Sequence, residues 1–188
     1  MRKLFVAGVV LLALWAWRAE LFQVSRPVVP LRSLALRTPT ERREARVDAV
    51  LPQIPVGLRR IVSGRAVVLI HYWAPWEFAG RSQAIALDSL RREPGLEELE
   101  VVLVSFDPFP SVARFVARNR LRLSVVLDHE HRLSRMLPCP SLPYTYVLDR
   151  SGNIAVAQAG DVDWLTPGTL EALRQVLREP AVPAGAPL

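Results

Sequence analysis

The sequence predicts an α/β fold in which helices flank a central mixed β-sheet, with a hydrophobic anchor helix at the N-terminus. Two observations carry this prediction. From Arg65 onward, β-branched apolar runs alternate with segments of helical periodicity, and the alternation ends in two strands joined by a short turn. The chain also begins with an unbroken apolar run, and its 188 residues leave room for one domain beside it.

The anchor is predicted over residues 1–22. A basic start, Met1–Lys3, precedes the apolar run Leu4–Trp17, and the small-x-small pattern that a signal peptidase cuts does not follow it. The run is shorter than the roughly 20 residues of a typical spanning helix, so Arg18 would have to reach the membrane surface for the helix to continue. We favour an uncleaved anchor over a removed signal. Arginines on both sides of the run leave its orientation open.

Three prolines and the lack of periodicity predict an extended tether over residues 23–39. The folded domain is predicted over residues 40–178, and a disordered tail over residues 179–188. The domain is expected to open with a helix over residues 40–50, capped by its first residue, a threonine.

The remaining elements follow from hydrophobic periodicity. Strands are predicted at 66–73, 100–106, 123–127, 144–149 and 154–158, and helices at 81–93, 111–119 and 169–177. A further short helix is expected around Leu133, Met136 and Leu137. The polar turn 150–153 predicts that the last two strands form an antiparallel hairpin, so the sheet should be mixed.

The composition argues against several functions. The net charge of +6 comes almost entirely from arginine. These residues are scattered and are not interleaved with aromatic residues, so no nucleic-acid partner is predicted. The segment Asp128-His129-Glu130-His131 has residue types that bind metals, but consecutive side chains point in different directions, and a solvated loop is favoured. Neither a metal nor another cofactor is predicted, and His71 is interpreted as a satisfied residue of the sheet.

Two motifs carry a resemblance to a known family. The first strand leads into Trp73-Ala74-Pro75-Trp76, and Leu142-Pro143-Tyr144 opens a later strand. This pattern resembles the membrane-tethered thioredoxin-like proteins of the TlpA/ResA group, in which the first motif reads Trp-Ala-x-Trp-Cys-x-x-Cys. The resemblance covers about residues 58–177. It implies a thioredoxin-like fold, a cis peptide before Pro143, and a periplasmic domain held at a bacterial inner membrane.

The resemblance also shows where the chemistry differs. The turn reads Trp76-Glu77-Phe78-Ala79-Gly80, so Glu77 and Gly80 stand at the two cysteine positions of the family. Without a thiolate and a resolving thiol this turn cannot exchange disulfides. Glu77 is interpreted as a helix-start residue in preference to a catalytic acid. Trp76, Phe78 and Tyr144 are either contacts for a bound peptide or ordinary packing residues.

Cys139 is the only cysteine, so no intrachain disulfide can form. A buried, inert thiol is favoured over a lone nucleophile near the degenerate turn. A peroxidase-like function has little support, because Cys139 is far in sequence from the helix start where relatives would carry a peroxidatic cysteine. The leading hypothesis is a redox-inactive module that binds a protein or peptide at the membrane. The alternative is a thiol-disulfide oxidoreductase that acts through Cys139.

Overall fold

A computed structural model describes residues 31–181 of the chain. The predicted anchor, the first part of the predicted tether and most of the predicted tail lie outside these residues. Within residues 31–181, no helix combines the length and the apolar character that crossing a membrane requires.

The domain is built on one seven-stranded sheet with the order β2-β1-β5-β4-β3-β6-β7. The strands are β1 (Asp48–Ile54), β2 (Leu58–Val62), β3 (Val68–Tyr72), β4 (Glu100–Ser105), β5 (Ser124–Leu127), β6 (Tyr144–Leu148) and β7 (Ile154–Ala159). The helices are α1 (Phe78–Leu90), α2 (Phe109–Asn119) and α3 (Pro167–Arg178). Strands β3, β4 and β5 are parallel, whereas β6 and β7 run antiparallel to their neighbours. The predicted mixed sheet and its terminal hairpin are confirmed.

The two faces of the sheet bury separate apolar clusters. The first cluster contains the inward-facing residues of all three helices, including Leu87 and Leu173, packed on strand residues such as Leu69 and Leu103. The second cluster lies on the other face of the sheet and includes Ile70, the neighbour of Leu69 on β3. Among the described residues, no helix covers this second face. The β1–β2 hairpin and the turn that follows β5 cover it instead, a difference from the predicted arrangement of flanking helices.

The predicted helix over residues 40–50 is wrong. A single 3₁₀ turn, Pro39–Glu41, is followed by β1. Val47, Ala49 and Leu51 are buried while the intervening side chains are exposed, which is the period-two pattern of a strand with one buried face.

The predicted short helix around Leu133 is also wrong, because the chain forms only a hydrogen-bonded turn there. The amide of Leu137 donates to the carbonyl of Leu133 at 2.9 Å, and Pro138, which has no N–H, follows directly. The buried carboxylate of Asp128 accepts from the amides of Leu133 (3.1 Å) and Ser134 (2.8 Å). Asp128 therefore orders this turn, which covers the second cluster.

The domain begins earlier than the predicted residue 40. The segment 31–37 lies along β7: the amide of Arg37 donates to the carbonyl of Ala155 at 2.9 Å, and the amide of Ala35 to the side-chain carbonyl of Gln158 at 2.8 Å. Leu34 is buried in the first cluster. This part of the predicted tether therefore belongs to the folded domain.

A buried arginine ties the start of the domain to its end. The side chain of Arg42, only 3% exposed, forms ion pairs with Asp149 and with both carboxylate oxygens of Glu179. Its Nε also donates to the carbonyl of Arg37 at 3.2 Å. Glu179, which the sequence assigns to the disordered tail, is thus bound to the domain.

Replacing Arg42 with methionine is expected to lower the free energy of unfolding by about 3 kcal/mol, because it leaves the buried carboxylate of Asp149 without its cation. Arg46→Met is the matched control, since Arg46 pairs with Glu44 at the surface and its side chain is 87% exposed. Urea unfolding of the full chain measures both variants. Equal midpoints for the two would contradict the structural role of Arg42.

Candidate functional site

Three loops meet at one end of the sheet because of strand register. Tyr72, the last residue of β3, is paired with Tyr144, the first residue of β6, and Tyr144 is paired with Ala159, the last residue of β7. The loops that follow β3, precede β6 and follow β7 therefore lie side by side. A hydrogen bond of 3.0 Å from the amide of Gly160 to the carbonyl of Pro143 joins the second loop to the third.

Glu77 caps the start of α1. Its carboxylate accepts from the amides of Ala79 (3.0 Å) and Gly80, two of the N–H groups that a helix leaves unpaired at its N-terminus. The interpretation of Glu77 as a helix-start residue is confirmed. A carboxylate held in this way has both oxygens engaged by the backbone of its own chain.

Gly80 allows the first turn of α1 to pack closely on the end of β3. A Cβ atom placed at this residue would lie 3.0 Å from the Glu77 carboxylate and 3.2 Å from the carbonyl oxygen of Ala74. Both distances are shorter than usual Cβ contacts. The position of the Glu77 carboxylate therefore depends on the absence of a side chain at Gly80.

Two aromatic side chains of this turn face solvent. Trp76 is 68% exposed and Phe78 is 63% exposed. The indole of Trp76 donates to the Asp107 carboxylate at 3.1 Å, and the Arg81 guanidinium lies 5.7 Å from the centre of the Phe78 ring. Together they form an exposed aromatic surface beside the start of α1. The sequence had left open whether these two residues contact a bound peptide or pack within the domain.

The loop before β6 has the cis peptide that the resemblance implies, between Leu142 and Pro143. Neither main-chain polar group of Leu142 has a hydrogen-bond partner among residues 31–181. Tyr144 is half-buried, and its ring lies 5.0 Å from that of Tyr146. The main chain of Leu142 therefore has an unpaired donor and an unpaired acceptor at this end of the sheet.

His71 is completely buried beneath this end of the sheet. Its Nδ1 lies 3.0 Å from the Thr145 hydroxyl, and the ring meets Trp164 edge-on at 5.8 Å. Nε2 has no partner within the described part of the chain, so the expectation of a fully satisfied side chain is met at only one nitrogen. Burial lowers the pKa of His71 to about 3, which keeps the imidazole neutral at neutral pH.

Cys139 is half-buried, not fully buried as predicted, and it packs against the second cluster, whereas α1 packs in the first. Its thiol lies 3.1 Å from the carbonyl oxygen of Ser141. Burial raises the pKa of Cys139 to about 11, so almost all of it is protonated at neutral pH. Among residues 31–181, no hydrogen bond links this thiol to the start of α1.

The segment 128–131 does not form a metal-binding group with any other residue in the described range. The Asp128 carboxylate is occupied by backbone amides, while His129 contacts the carbonyl of Phe106 and His131 contacts Ser134.

The sequence interpretation missed the loop that follows β7. Gln83 of α1 holds this loop: its Nε2 donates to the carbonyl of Val162 at 3.0 Å, and its Oε1 accepts from the Val162 amide and from the Trp164 indole. Asp161 has one carboxylate oxygen, Oδ1, that is buried without a hydrogen-bond partner in the described residues. Burial, and then the charge of Glu77, raise the pKa of Asp161. Only the sequence Gly160-Asp161 directly after a strand could have indicated this position.

The parallel β3-β4-β5 core, the antiparallel β6–β7 hairpin and the cis peptide beside the start of α1 define a thioredoxin-like protein. The family model of the AhpC/TSA family matches residues 51–157, which is more than half of the chain. The chain belongs to the AhpC/TSA family. A comparison with curated proteins gives no match.

Solved structures agree on the fold. A protein described as a thiol:disulfide interchange protein DsbE from Chlorobium tepidum is 21% identical and superimposes with a TM-score of 0.60, over 72% of this chain and 94% of that one. StoA from Bacillus subtilis is 18% identical (TM-score 0.58; 71% and 98% of the two chains). Peroxidoxin BcpB from Mycobacterium tuberculosis is 16% identical (TM-score 0.58; 78% and 98%). The thioredoxin-like fold implied by the sequence is confirmed.

Replacing Glu77 with alanine is expected to lower the free energy of unfolding by about 1 kcal/mol, because two amides of α1 lose their acceptor. Glu77→Ser is the matched control, since serine can accept one of these hydrogen bonds and should restore part of the loss. Chemical unfolding of the full chain measures both. A Glu77→Ala variant as stable as the unsubstituted chain would contradict the capping role.

Cys139 is expected to react slowly with iodoacetamide at pH 7 and faster as the pH rises towards 11, because only the thiolate is alkylated. A shift of the pKa from 9.0 to about 11 reduces the thiolate fraction at neutral pH roughly 100-fold. The rate in urea, where burial is lost, provides the control. A rate in the folded chain equal to the rate in urea would contradict this prediction.

Proposed function

We propose that this chain is a membrane-anchored, redox-inactive member of its family that binds a protein or peptide segment on the surface formed by Trp76, Phe78 and the loop Leu142–Tyr144. The observation that carries the proposal is the Glu77 cap. The carboxylate occupies the amides at the start of α1, the position at which the resemblance to TlpA/ResA proteins expects the reactive thiol. The fold is retained while this position carries no redox chemistry.

The cysteine content supports redox inactivity. Disulfide exchange within one chain requires an attacking thiolate and a second thiol that resolves the mixed disulfide. Cys139 is the only cysteine in the sequence, and its raised pKa disfavours the thiolate.

The exposed aromatic residues support a binding role. Large apolar side chains at the surface contribute binding energy when a partner covers them, and Trp76 is held in place by Asp107. The unpaired main chain of Leu142 can hydrogen-bond to the backbone of an extended segment, as in strand addition. Aromatic contacts would then supply affinity, and backbone hydrogen bonds would set the direction of the bound segment.

The N-terminal sequence supports attachment to a membrane. The run Leu4–Trp17 after a basic start has the composition of a short anchor, and the tryptophans at its end suit the membrane interface. The resemblance to TlpA/ResA proteins favours the inner membrane of a bacterium, with the domain in the periplasm. The bound segment would accordingly belong to a protein in that compartment or in the membrane.

The alternative is an oxidoreductase that acts through Cys139, with an external thiol resolving the mixed disulfide. The position of Cys139 against the second cluster and its raised pKa both weigh against it. No specific contact favours a nucleophilic role for this thiol over an inert one.

Dodecapeptides selected from a random library with the full chain are expected to bind at least tenfold more weakly to Trp76→Ala and Phe78→Ala variants, since these rings lose their contact area. Leu58→Ala is the matched control, because Leu58 is 72% exposed but lies on β2 at the far edge of the sheet. Fluorescence anisotropy measures the affinities. Equal loss in all three variants would contradict the proposed surface, and reduction of insulin that disappears in Cys139→Ser would favour the alternative.

A further inference from the structure

An apolar groove lies between the first half of α1 and the loop after β7, next to the surface proposed above. It encloses about 330 Å³, and its apolar walls are formed by Leu31, Phe78, Ala86, Trp164 and Leu165. This volume is near the lower end of the roughly 300–1,000 Å³ found for small-molecule pockets, so the groove has room for one long side chain.

The groove is preformed. Gln83 holds Val162 and Trp164 through three hydrogen bonds, as described above. On the other side, the amide of Asp163 donates to the carbonyl of Arg32 at 3.0 Å, and the Thr166 hydroxyl donates to the carbonyl of Asp163 at 3.1 Å. A ligand would therefore enter a groove whose walls are already ordered, and this reduces the entropic cost of binding.

Asp161 gives this apolar groove a negative charge that its own chain does not neutralise. The carboxylate lines the groove, Oδ1 is buried without a partner, and no ion pair joins Asp161 to an arginine of residues 31–181. Glu77 differs, because backbone amides engage both of its oxygens. A buried polar atom without a partner is uncommon in folded proteins, and Oδ1 is therefore free to accept a hydrogen bond from a ligand that enters the groove.

We propose that the groove accepts a lysine or arginine side chain of the bound segment, with the aliphatic stem against the exposed side chains of Phe78 and Leu165 and the cationic head on Asp161. This inference rests on the proposed function, in which the partner is a protein or peptide segment. It adds that the bound segment contains a basic residue. Lysine and arginine match the groove because they combine a long apolar stem with a charged end.

The electrostatics of the site favour a cation over a neutral ligand. The raised pKa of Asp161 reflects burial and the nearby charge of Glu77, and both effects disfavour its ionised form. A bound ammonium or guanidinium group offsets both, because it supplies the missing partner and screens the two carboxylates from each other. A neutral side chain of the same length would gain only the apolar contacts.

The first test uses n-butylammonium, with n-butanol as the neutral match of the same length. The full chain is kept in zwitterionic detergent, and calorimetric titration measures both ligands on the unsubstituted chain and on each variant. In the unsubstituted chain, the carboxyl ¹³C resonance of Asp161, assigned by its loss in Asp161→Asn, locates the binding site. We expect saturable binding of n-butylammonium at least tenfold tighter than that of n-butanol. Asp161→Asn should remove this preference without lowering the melting temperature, because burying an unpaired charge does not stabilise the fold. Asp163→Asn, which alters another acid of the groove, should keep it.

The second test uses the selected dodecapeptides with lysine replaced by norleucine. A tenfold loss of affinity for the unsubstituted chain, but not for Asp161→Asn, is expected. Equal affinity for lysine and norleucine peptides would overturn the groove assignment and leave the proposed function standing. Binding of n-butylammonium without binding of any peptide would support the groove and contradict the proposed function.

Two further outcomes would overturn the proposal. One is an Asp161→Asn variant that keeps the preference for n-butylammonium. The other is a preference that appears only in an Arg26→Gln variant, which would show that the chain's own N-terminal segment fills the groove and not a partner.

Discussion

Strand β3 lies inside the sheet, and its hydrogen bonds to β4 and β6 position every part of the candidate site. All five of its residues are buried, and each is paired on both sides. Its parallel partner β4 leads to Asp107, which holds the Trp76 indole, and its antiparallel partner β6 brings the cis peptide to the start of α1. A slip of one residue in the β3–β6 register would turn the side chains of one strand to the opposite face and separate these loops.

The start of α1 shows how a helix N-terminus can be satisfied without a thiol. Helix N-termini need acceptors for their free amides, and they favour negative charge whichever atom carries it. Glu77 meets both needs with a carboxylate, so the domain does not depend on a thiol at this position. In the proposed function, the residues around this helix start are limited by the affinity for a partner and not by the reactivity of a thiol.

The sequence predicted the elements whose periodicity is strong and local. The β-branched runs of β3 and β4, the hairpin around residues 150–153 and the cis peptide before Pro143 all have signals within a few residues. The strand β1 was missed because Pro52 and Pro55 suggested a helix end, although the alternation Val47, Ala49, Leu51 already had the period of a strand.

Within the candidate site, the sequence identified Glu77 and Pro143 but not Asp161. The first two stand in motifs that can be recognised from neighbouring residues. The environment of Asp161 depends on Gln83 and Trp164, which are distant in sequence and meet only in the folded chain. Burial of one carboxylate oxygen is a property of this packing, and no local pattern encodes it.

The segment 31–37 would have a mechanical consequence in a chain anchored at its N-terminus, as proposed above. Any pulling force would reach the domain first through its few hydrogen bonds to β7 and the following loop, before it reached the continuous ladder between β3 and β4. Detachment of this segment from β7 would remove Leu31 from the wall of the groove and expose the outer edge of β7. Tension on the N-terminus would thus alter the groove while the sheet beneath it stays intact.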